Sequence, residues 1–315
     1  MNTALEIRDL EFREAAWQAL AANPKKISPK FLYDAEGSQL FEAICEVDAY
    51  YVTREERDIL RRSGRRIADL VGPGAAVIEP GAGAGEKVEL ILPHLSDPVA
   101  YVPIEISSSA LEAATVQWRK KYSLPIIPIC ADYTRPLTLP AQVERAKRRF
   151  VFFPGSTIGN FDPPEAVDFL IALKRLAGRE GILVIGADVK KNKEVLEQAY
   201  DDPEGVTAAF NLNLLGRFNR ELGANFNLNH FYHRAVYRED LGRVEMHLVS
   251  RLDQVVRVAD RTFRFREGET FHTESSYKYS PGDFIALASR AGLELVESFT
   301  NEMFGEYVFQ PRRIK

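Results

Sequence analysis

A chain of 315 residues with 41 basic and 45 acidic side chains, a formal net charge of −4, has no surplus of positive charge for a general nucleic-acid surface. At 45% hydrophobic and 27% charged it can bury cores of ordinary size, and its length suits roughly two domains. Two cysteines, Cys45 and Cys130, exclude a disulfide framework, the charged N-terminus does not read as a signal peptide, and no apolar run approaches the ~20 residues of a membrane span, so a cytoplasmic setting is expected.

In chain order, residues 5–22 read as an amphipathic helix. A loop-rich stretch follows, with a short apolar helix around Leu40 to Ile44. It is rich in aromatics: Phe31, Tyr33, Phe41, Tyr50 and Tyr51. From about residue 54 the pattern changes to alternating helices and strands. Arg54 to Leu70 has helical periodicity, "AAVIEP" is a buried strand, and Glu86 to Leu95 is expected to be a helix. "AYVPIEI" is a second strand, and Ser109-x-x-Glu112 has the capping-box spacing of a helix start. "PIIPICAD" is a third strand, shortened by its prolines. "RFVFFPGSTIGN" contains a fourth, then Asp162, Pro163 and Glu165 open a helix, and "GILVIGADV" is a fifth strand. Strands and helices alternating at this spacing imply an α/β fold with a doubly wound parallel sheet.

After Lys190 the alternation stops. Val206, Phe210, Leu214, Phe218 and Leu222 recur every fourth residue and mark a long helix. The runs "FYHRAVYRE", "RVEMHLVSRL", "RTFRFRE" and "ETFHTESSYKY" alternate as antiparallel strands do. Ser280-Pro281 opens a helix, and "LELVESFT" and "EYVFQP" read as two last strands. The expected organisation is therefore an α/β domain, residues 61–198 plus 281–315, and an α+β domain, residues 1–60 plus 199–280.

The turn "EPGAGAGEK" follows the first strand of the α/β pattern. Gly81, Gly83 and Gly85 give G-x-G-x-G, with the third glycine one place too early for the dinucleotide fingerprint. Val88 after Lys87 breaks the phosphate-loop pattern. Glu79, Glu105 and Asp132 stand at the ends of three successive strands, the edge at which open α/β sheets bind ligands. One such acid is commonly a solvated strand end. Three beside a glycine turn suit a ligand with positive groups and no phosphate, which favours S-adenosylmethionine over NAD. The histidines His94, His230, His233, His247 and His272 form no convincing ligand set, so no metal is expected.

Several longer stretches carry a resemblance over nearly the whole chain from Pro24. "FLYDAEGSQLFEAICEVDAYYVTREE", "PGSTIGNF", "AYDDPEGVTAAFNLNLLGRFNRELGANF", "VEMHL" and "TESSYK" occur in an order that resembles the histidine-specific, S-adenosylmethionine-dependent methyltransferases of ergothioneine biosynthesis. The resemblance implies a class I methyltransferase Rossmann-like sheet with an inserted α+β substrate-binding domain. It implies Nα-trimethylation of L-histidine to hercynine. Carried over by motif, the cofactor would lie at Gly81, Lys87, Glu105, Asp132 and Tyr133. Asn160 and Tyr200 would hold the amino-acid end. Tyr50, Glu274 and Ser276 would meet the imidazole, with Phe41 and Met246 forming the wall. Asn160 and Tyr33 would be the catalytic residues, Tyr33 or a water near "GSTIGN" serving as a proton relay. A monomer acting on a small molecule is implied, without nucleic acid or membrane. Glu105 stands where the family usually has Asp, and "DY" where "DF" is common, differences that bear on cofactor affinity.

The residue types suit these roles. An asparagine side chain offers both an acceptor and donors for an amine and a carboxylate. Glu274 and Ser276, two apart on an expected strand, share a face, and a carboxylate with a hydroxyl can pair both imidazole nitrogens. Core packing is the plainer account of Tyr33, Phe41 and Tyr50, and a solvated strand face that of Glu274 and Ser276. Three rivals remain: an N-methyltransferase with another side-chain preference, a nicotinamide oxidoreductase using the glycine turn, and a cofactor-binding regulator without catalysis.

Overall fold

The computed structural model describes residues 3–83 and 85–313, and side chains from residue 10 on. The chain forms two compact units. The first is Met1–Tyr50 with Asn192–Ser275, and the second is Tyr51–Lys191 with Ser276–Lys315. The sequence limits were drawn near residues 60, 198 and 280. The changeover at Tyr50 reflects the helix Tyr51–Val71, which belongs wholly to the second unit.

The second unit contains a seven-stranded sheet. From one edge its order is Leu293–Thr300, Phe304–Pro311, Ile182–Asp188, Arg148–Phe153, Ala75–Pro80, Ala100–Glu105 and Ile129–Cys130. The last five are mutually parallel, and Phe304–Pro311 runs antiparallel to both neighbours. Strands buried on both faces send alternate residues into two cores. Ile78, Val151 and Phe153 join one, with Leu170 and Leu173 of helix Pro163–Ala177 and Phe284 of helix Pro281–Arg290. Val77, Phe150 and Phe152 join the other, with Leu60 and Ile67 of helix Tyr51–Val71 and Trp118 of helix Ser108–Lys121. Helices thus cover both faces, the doubly wound arrangement that the alternation predicts.

Two local expectations need correction, and the shortening expected of the third strand is present. The helix expected over 86–95 is two short 3₁₀ turns, Val88–Leu90 and Leu92–His94. Pro93 has no amide hydrogen to extend an α-helical ladder. The helix after the second parallel strand is capped by Ser107, whose side chain accepts from the Ala110 amide, rather than by Ser109. Glu105 makes the early start workable, because its carboxylate takes the Ile106 and Ser107 amides at 2.7 and 3.2 Å. The strand at Ile129–Cys130 is only two residues long, since Pro125 and Pro128 cannot donate to a ladder.

The first unit has a four-stranded sheet in the order Lys25–Lys26, Thr270–Tyr277, Arg243–Ser250, Phe231–Arg238. The last two residues of Thr270–Tyr277 fall in the second unit. A separate hairpin pairs Gln254–Val258 with Arg261–Phe265. Helix Val206–Leu222 is present as expected, and helix Lys193–Tyr200, which the sequence reading did not mark, precedes it. No helix among the described residues is long and apolar enough to cross a membrane.

The glycine turn sits where Ala75–Pro80 ends. Gly83 and Gly85 have φ of 51° and 70°, in the left-handed region that side chains resist. A Cβ on Gly85 would lie 2.1 Å from the Trp118 ring, while one on Gly83 would meet nothing within 4 Å. Gly83→Ala should therefore cost only the backbone penalty, about 1–2 kcal/mol. Gly85→Ala adds overpacking against a buried ring and should cost ~3 kcal/mol or more. Urea unfolding midpoints of the two variants measure the difference, and equal losses would contradict this account of the turn.

Candidate functional site

The C-terminal edge of the parallel strands gathers the motif residues of the second unit. Gly83 donates its amide to Glu105 at 3.2 Å, so the carboxylate at the end of the second parallel strand is tied to the glycine turn. Asp132 accepts from the Thr134 amide at 3.0 Å and from the Thr134 hydroxyl, with Arg135 at 3.7 Å. The next residue, Tyr133, packs its ring on Phe153 and Phe169 at centroid distances of 5.9 and 5.8 Å. A Cβ on Gly81 would stand 3.3 Å from that ring. Burial, then the charges of Glu105 and Asp132, push the Tyr133 hydroxyl well above its usual pKa, so it stays protonated. Lys87 pairs with the buried Glu56 at 2.5 Å. Its charge is therefore already neutralised, which fits a ligand lacking phosphate.

Glu79 does not face a ligand as the strand-end pattern suggested. It is 1% exposed and accepts a hydrogen bond from Tyr101, a core residue, at 2.5 Å. Burial pushes its pKa up to about 8, against the Tyr101 hydrogen bond and the Lys87 charge. Where both faces of a strand are covered, an acid near its end can point into a core as readily as toward the edge.

Asn160 ends the 3₁₀ turn Thr157–Asn160, which follows Gly155 and Ser156 at the end of the Arg148–Phe153 strand. Ser156, in the left-handed region, accepts from the Asp188 amide at 2.9 Å. Asp188, at the end of the next strand, is fully buried and was not singled out from the sequence. Its carboxylate accepts from Tyr51 and Lys278, each at 2.7 Å, and from Lys191. Burial pushes its pKa up, but the two lysines outweigh that and hold it below the usual carboxylate value. Lys278 also donates to the Ser276 hydroxyl at 2.9 Å, so the structure sets Ser276 in this ion-pair network.

Within the first unit, six of the residues singled out from the sequence line a single cavity. Tyr33, Phe41, Tyr50, Tyr200, Met246 and Glu274 surround it, together with Ile44, Ala199, Thr207 and Phe210. The rings brace one another edge-on: Tyr33 to Phe41 at 5.5 Å, Tyr33 to Phe210 at 5.4 Å, and Tyr50 to Tyr200 at 6.0 Å. Asp34 caps the next helix through the Gly37 amide and accepts from Asn213 at 2.8 Å, which anchors the chain beside Tyr33. His233 holds Tyr200 by donating Nε2–H to its carbonyl at 2.7 Å, while Asn211 donates to Nδ1 at 2.8 Å. His233 is thus committed to the protein interior, and His230 meets Asn227 and Gln254. Glu274 is 8% exposed, so a carboxylate stands in a wall whose other residues are aromatic, aliphatic or, as with Tyr33, Tyr50, Tyr200 and Thr207, hydroxyl-bearing. Such a cavity suits a flat ring with an N–H to donate.

The network residues Glu56, Asp188, Lys278 and Glu306 were missed. Asp188 was legible as a fourth strand-end acid, and Glu306 as a charge inside the apolar run "FGEYVF". Glu56, in "TREERD", looks like any solvated helix residue.

Comparison with known proteins agrees with the motif reading. The family model described as "Histidine-specific methyltransferase, SAM-dependent" matches residues 12–311. The Histidine N-alpha-methyltransferase of Mycobacterium tuberculosis (strain CDC 1551 / Oshkosh) is 36% identical over 299 residues, covering 93% of this chain and 92% of its own. That of Mycolicibacterium smegmatis is 37% identical over 288 residues, covering 90% and 88%. The Ergothioneine biosynthesis protein 1 of Schizosaccharomyces pombe is 28% identical over 280 residues, covering 85% of this chain and 36% of the longer relative.

The state of Glu79 has a measurable consequence. A carboxyl whose pKa is higher in the folded state binds its proton more tightly there than in the unfolded chain. Its contribution is full below the unfolded value and is lost as pH rises through the folded one. Between about pH 4.5 and about pH 8, wild type should lose stability relative to Glu79→Gln, which mimics the protonated side chain. Denaturant titrations near each limit test this. A stability difference that does not change with pH would show that Glu79 is ionised in the fold.

Proposed function

The chain belongs to the histidine-specific, S-adenosylmethionine-dependent methyltransferases, and on that premise we propose that it methylates the α-amino nitrogen of L-histidine three times, yielding hercynine, the first step toward ergothioneine. Its seven-stranded sheet, with one reversed strand next to the edge, is that of class I methyltransferases. The observation that carries the substrate reading is the aromatic cavity of the first unit with Glu274 in its wall.

The residues of the second unit fit the cofactor. Gly83 leaves open space where a side chain would stand, and Glu105 and Asp132 offer carboxylates at the same edge of the sheet. Lys87 is neutralised by Glu56, so no cation is left over there for a pyrophosphate. When bound, S-adenosylmethionine supplies a methyl group made electrophilic by its sulfonium.

The chain's own part is to position an amine and to read a ring. Glu274 is an acceptor for an imidazole N–H, and its burial gives that bond weight. Tyr33, Phe41 and Tyr50 exclude water from the ring and leave little room for a side chain of another shape. Tyr200, fixed through His233, and Asn160, on its 3₁₀ turn, are assigned to the amino-acid end. Asn160 presents donors and an acceptor, which suits an amine that must be held while neutral with its lone pair directed at the methyl carbon. Each transfer after the first requires loss of another proton from nitrogen. The third leaves a quaternary centre with no lone pair, and the reaction stops there.

Removing Glu274 tests the assignment. Glu274→Ala deletes the acceptor and leaves a ring nitrogen unpaired in a dry cavity, a loss of about 1–3 kcal/mol, or roughly tenfold to a hundredfold in kcat/KM for histidine. Preference should relax toward amino acids with less polar side chains, while methylation stays on the α-nitrogen. Mass spectrometry of products from an amino-acid panel reads both effects. Unaltered histidine preference in the variant, or imidazole methylation by wild type, would overturn the placement of the substrate.

A further inference from the structure

Helix Tyr51–Val71 packs on the seven-stranded sheet and directs one carboxylate, Glu56, into the interior, where it is 0% exposed. A glycine makes this possible. A Cβ at Gly186, in the strand Ile182–Asp188, would lie 2.3 Å from Glu56 Oε1. The space that a side chain would take is the space the carboxylate occupies.

Both oxygens of Glu56 are engaged by loops at the C-terminal edge of the parallel strands. Oε1 accepts from the Gly155 amide at 2.5 Å, in the loop that leads to Asn160. Oε2 meets the Lys87 ammonium at 2.5 Å, just beyond the glycine turn. One side chain, the last residue of the stretch "FLYDAEGSQLFEAICEVDAYYVTREE", therefore ties the segment just beyond the glycine turn to the "GSTIGN" loop.

A second acid lies behind it. Glu306, on the strand Phe304–Pro311, stands opposite Gly186 in the ladder and is 0% exposed. As a carboxylate, Glu306 meets no donor at either oxygen among the described residues. A buried carboxylate in that state is untenable. Burial, followed by the charge of Glu56 and a hydrogen bond with it, pushes the Glu306 pKa well above its usual value. Glu306 is then a carboxylic acid that donates to Glu56. The pair is asymmetric: Glu306 carries the proton, while Glu56 faces the Gly155 amide and the Lys87 ammonium. Glu56 so receives an amide, an ammonium and an acid hydrogen.

We propose that Glu56 is a positioning residue for cofactor binding: supported by Glu306, it holds Lys87 and the Gly155 amide in one arrangement, so that the glycine turn and the "GSTIGN" loop present their ligand-facing groups together. The proposal rests on the reading that this edge binds S-adenosylmethionine. Glu56 itself touches no reacting atom. Its effect passes through the two loops.

The asymmetry supplies the test. Glu306→Gln replaces a protonated carboxyl with an amide that can still donate to Glu56. Glu56→Gln has nearly the same size but turns an NH2 toward either the Gly155 amide or the Lys87 ammonium. Donor then faces donor, and one of the two ties must break. S-adenosylhomocysteine binding to the full chain is measured by calorimetry, with thermal unfolding of the ligand-free variants and steady-state kinetics alongside. Glu306→Gln should bind within about twofold of wild type, and Glu56→Gln about tenfold or more weakly. In Glu56→Gln the KM for S-adenosylmethionine should rise by a similar factor, with kcat held within roughly threefold. If Glu56→Gln fails to fold, Glu56→Asp, which keeps the charge but is too short to span both loops, is read in the same way. Wild-type affinity in the Glu56 variant overturns the proposal. So does equal weakening in both variants, which would make the cluster ordinary interior packing. Failure of wild type to bind S-adenosylhomocysteine would instead remove the cofactor reading, and this proposal with it.

Discussion

A charge cannot be left unpaired away from water, and that constraint organises the C-terminal edge of the main sheet. Five acids are brought to its neighbourhood and each is accommodated differently. Glu105 is tied by three backbone amides, Asp188 by two lysines and a tyrosine, and Glu56 by an ammonium and an amide. Glu79 and Glu306 escape the constraint by keeping a proton. The accommodations are not interchangeable. An acid held by amides keeps lone pairs for a ligand, whereas one that has taken a proton has left the electrostatics of the edge. Net charge at the edge therefore follows from which partners the fold supplies, not from how many acids the sequence brings there.

In the first unit, the cavity has one acid, Glu274, among its lining residues. That cavity is walled by rings that hold one another edge-on, and their rigidity comes from the backbone behind them: Asp34 capping a helix beside Tyr33, and His233 fixed between Asn211 and the Tyr200 carbonyl. On the proposed reading, Glu274, the charged residue of that lining, is what selects among ligands. Discrimination by one buried polar group is sharper than discrimination by shape, since a ligand without the matching donor leaves it unpaired.

Much of the architecture was legible because it depends on long-range burial that leaves a simple trace. Apolar runs of strand length separated by amphipathic stretches marked the parallel strands, and their loss after Lys190 marked the change to the α+β unit. What escaped depends on direction and not on period. The turn after Lys87 was read as a helix because its apolar residues recur suitably, yet Pro93 removes the amide that a helix needs. Glu79 was read as facing outward because it lies near a strand end, but residue parity cannot tell an edge from a core when both faces are covered. The cavity residues Tyr33, Phe41, Tyr50, Tyr200, Met246 and Glu274 came from motif resemblance, since nothing in their spacing distinguishes a pocket wall from ordinary packing. Lys278 and Glu56 end two of the resembling stretches, yet nothing there marks them as buried, because a helix or strand residue declares its burial only through its neighbours in space.

The glycine turn shows how far spacing alone reaches. Its third glycine, one place early, spoke against a pyrophosphate, and that inference concerned only the backbone. The strand-end acids gave an electrostatic argument in the same direction, and the structure adds the partners of the lysine beside the turn. A phosphate-binding turn needs donors with charge to spare, and the lysine beside this turn is already paired with Glu56. The acid at the end of the neighbouring strand accepts from the turn's own Gly83 amide, so the turn offers a carboxylate where a phosphate loop would offer bare N–H groups. A ligand bearing ribose hydroxyls, an amino group and a sulfonium meets no repulsion in such a setting, whereas one bearing a pyrophosphate does. Selection among nucleotides is in this way decided before the ligand arrives, by which backbone donors the protein has already used.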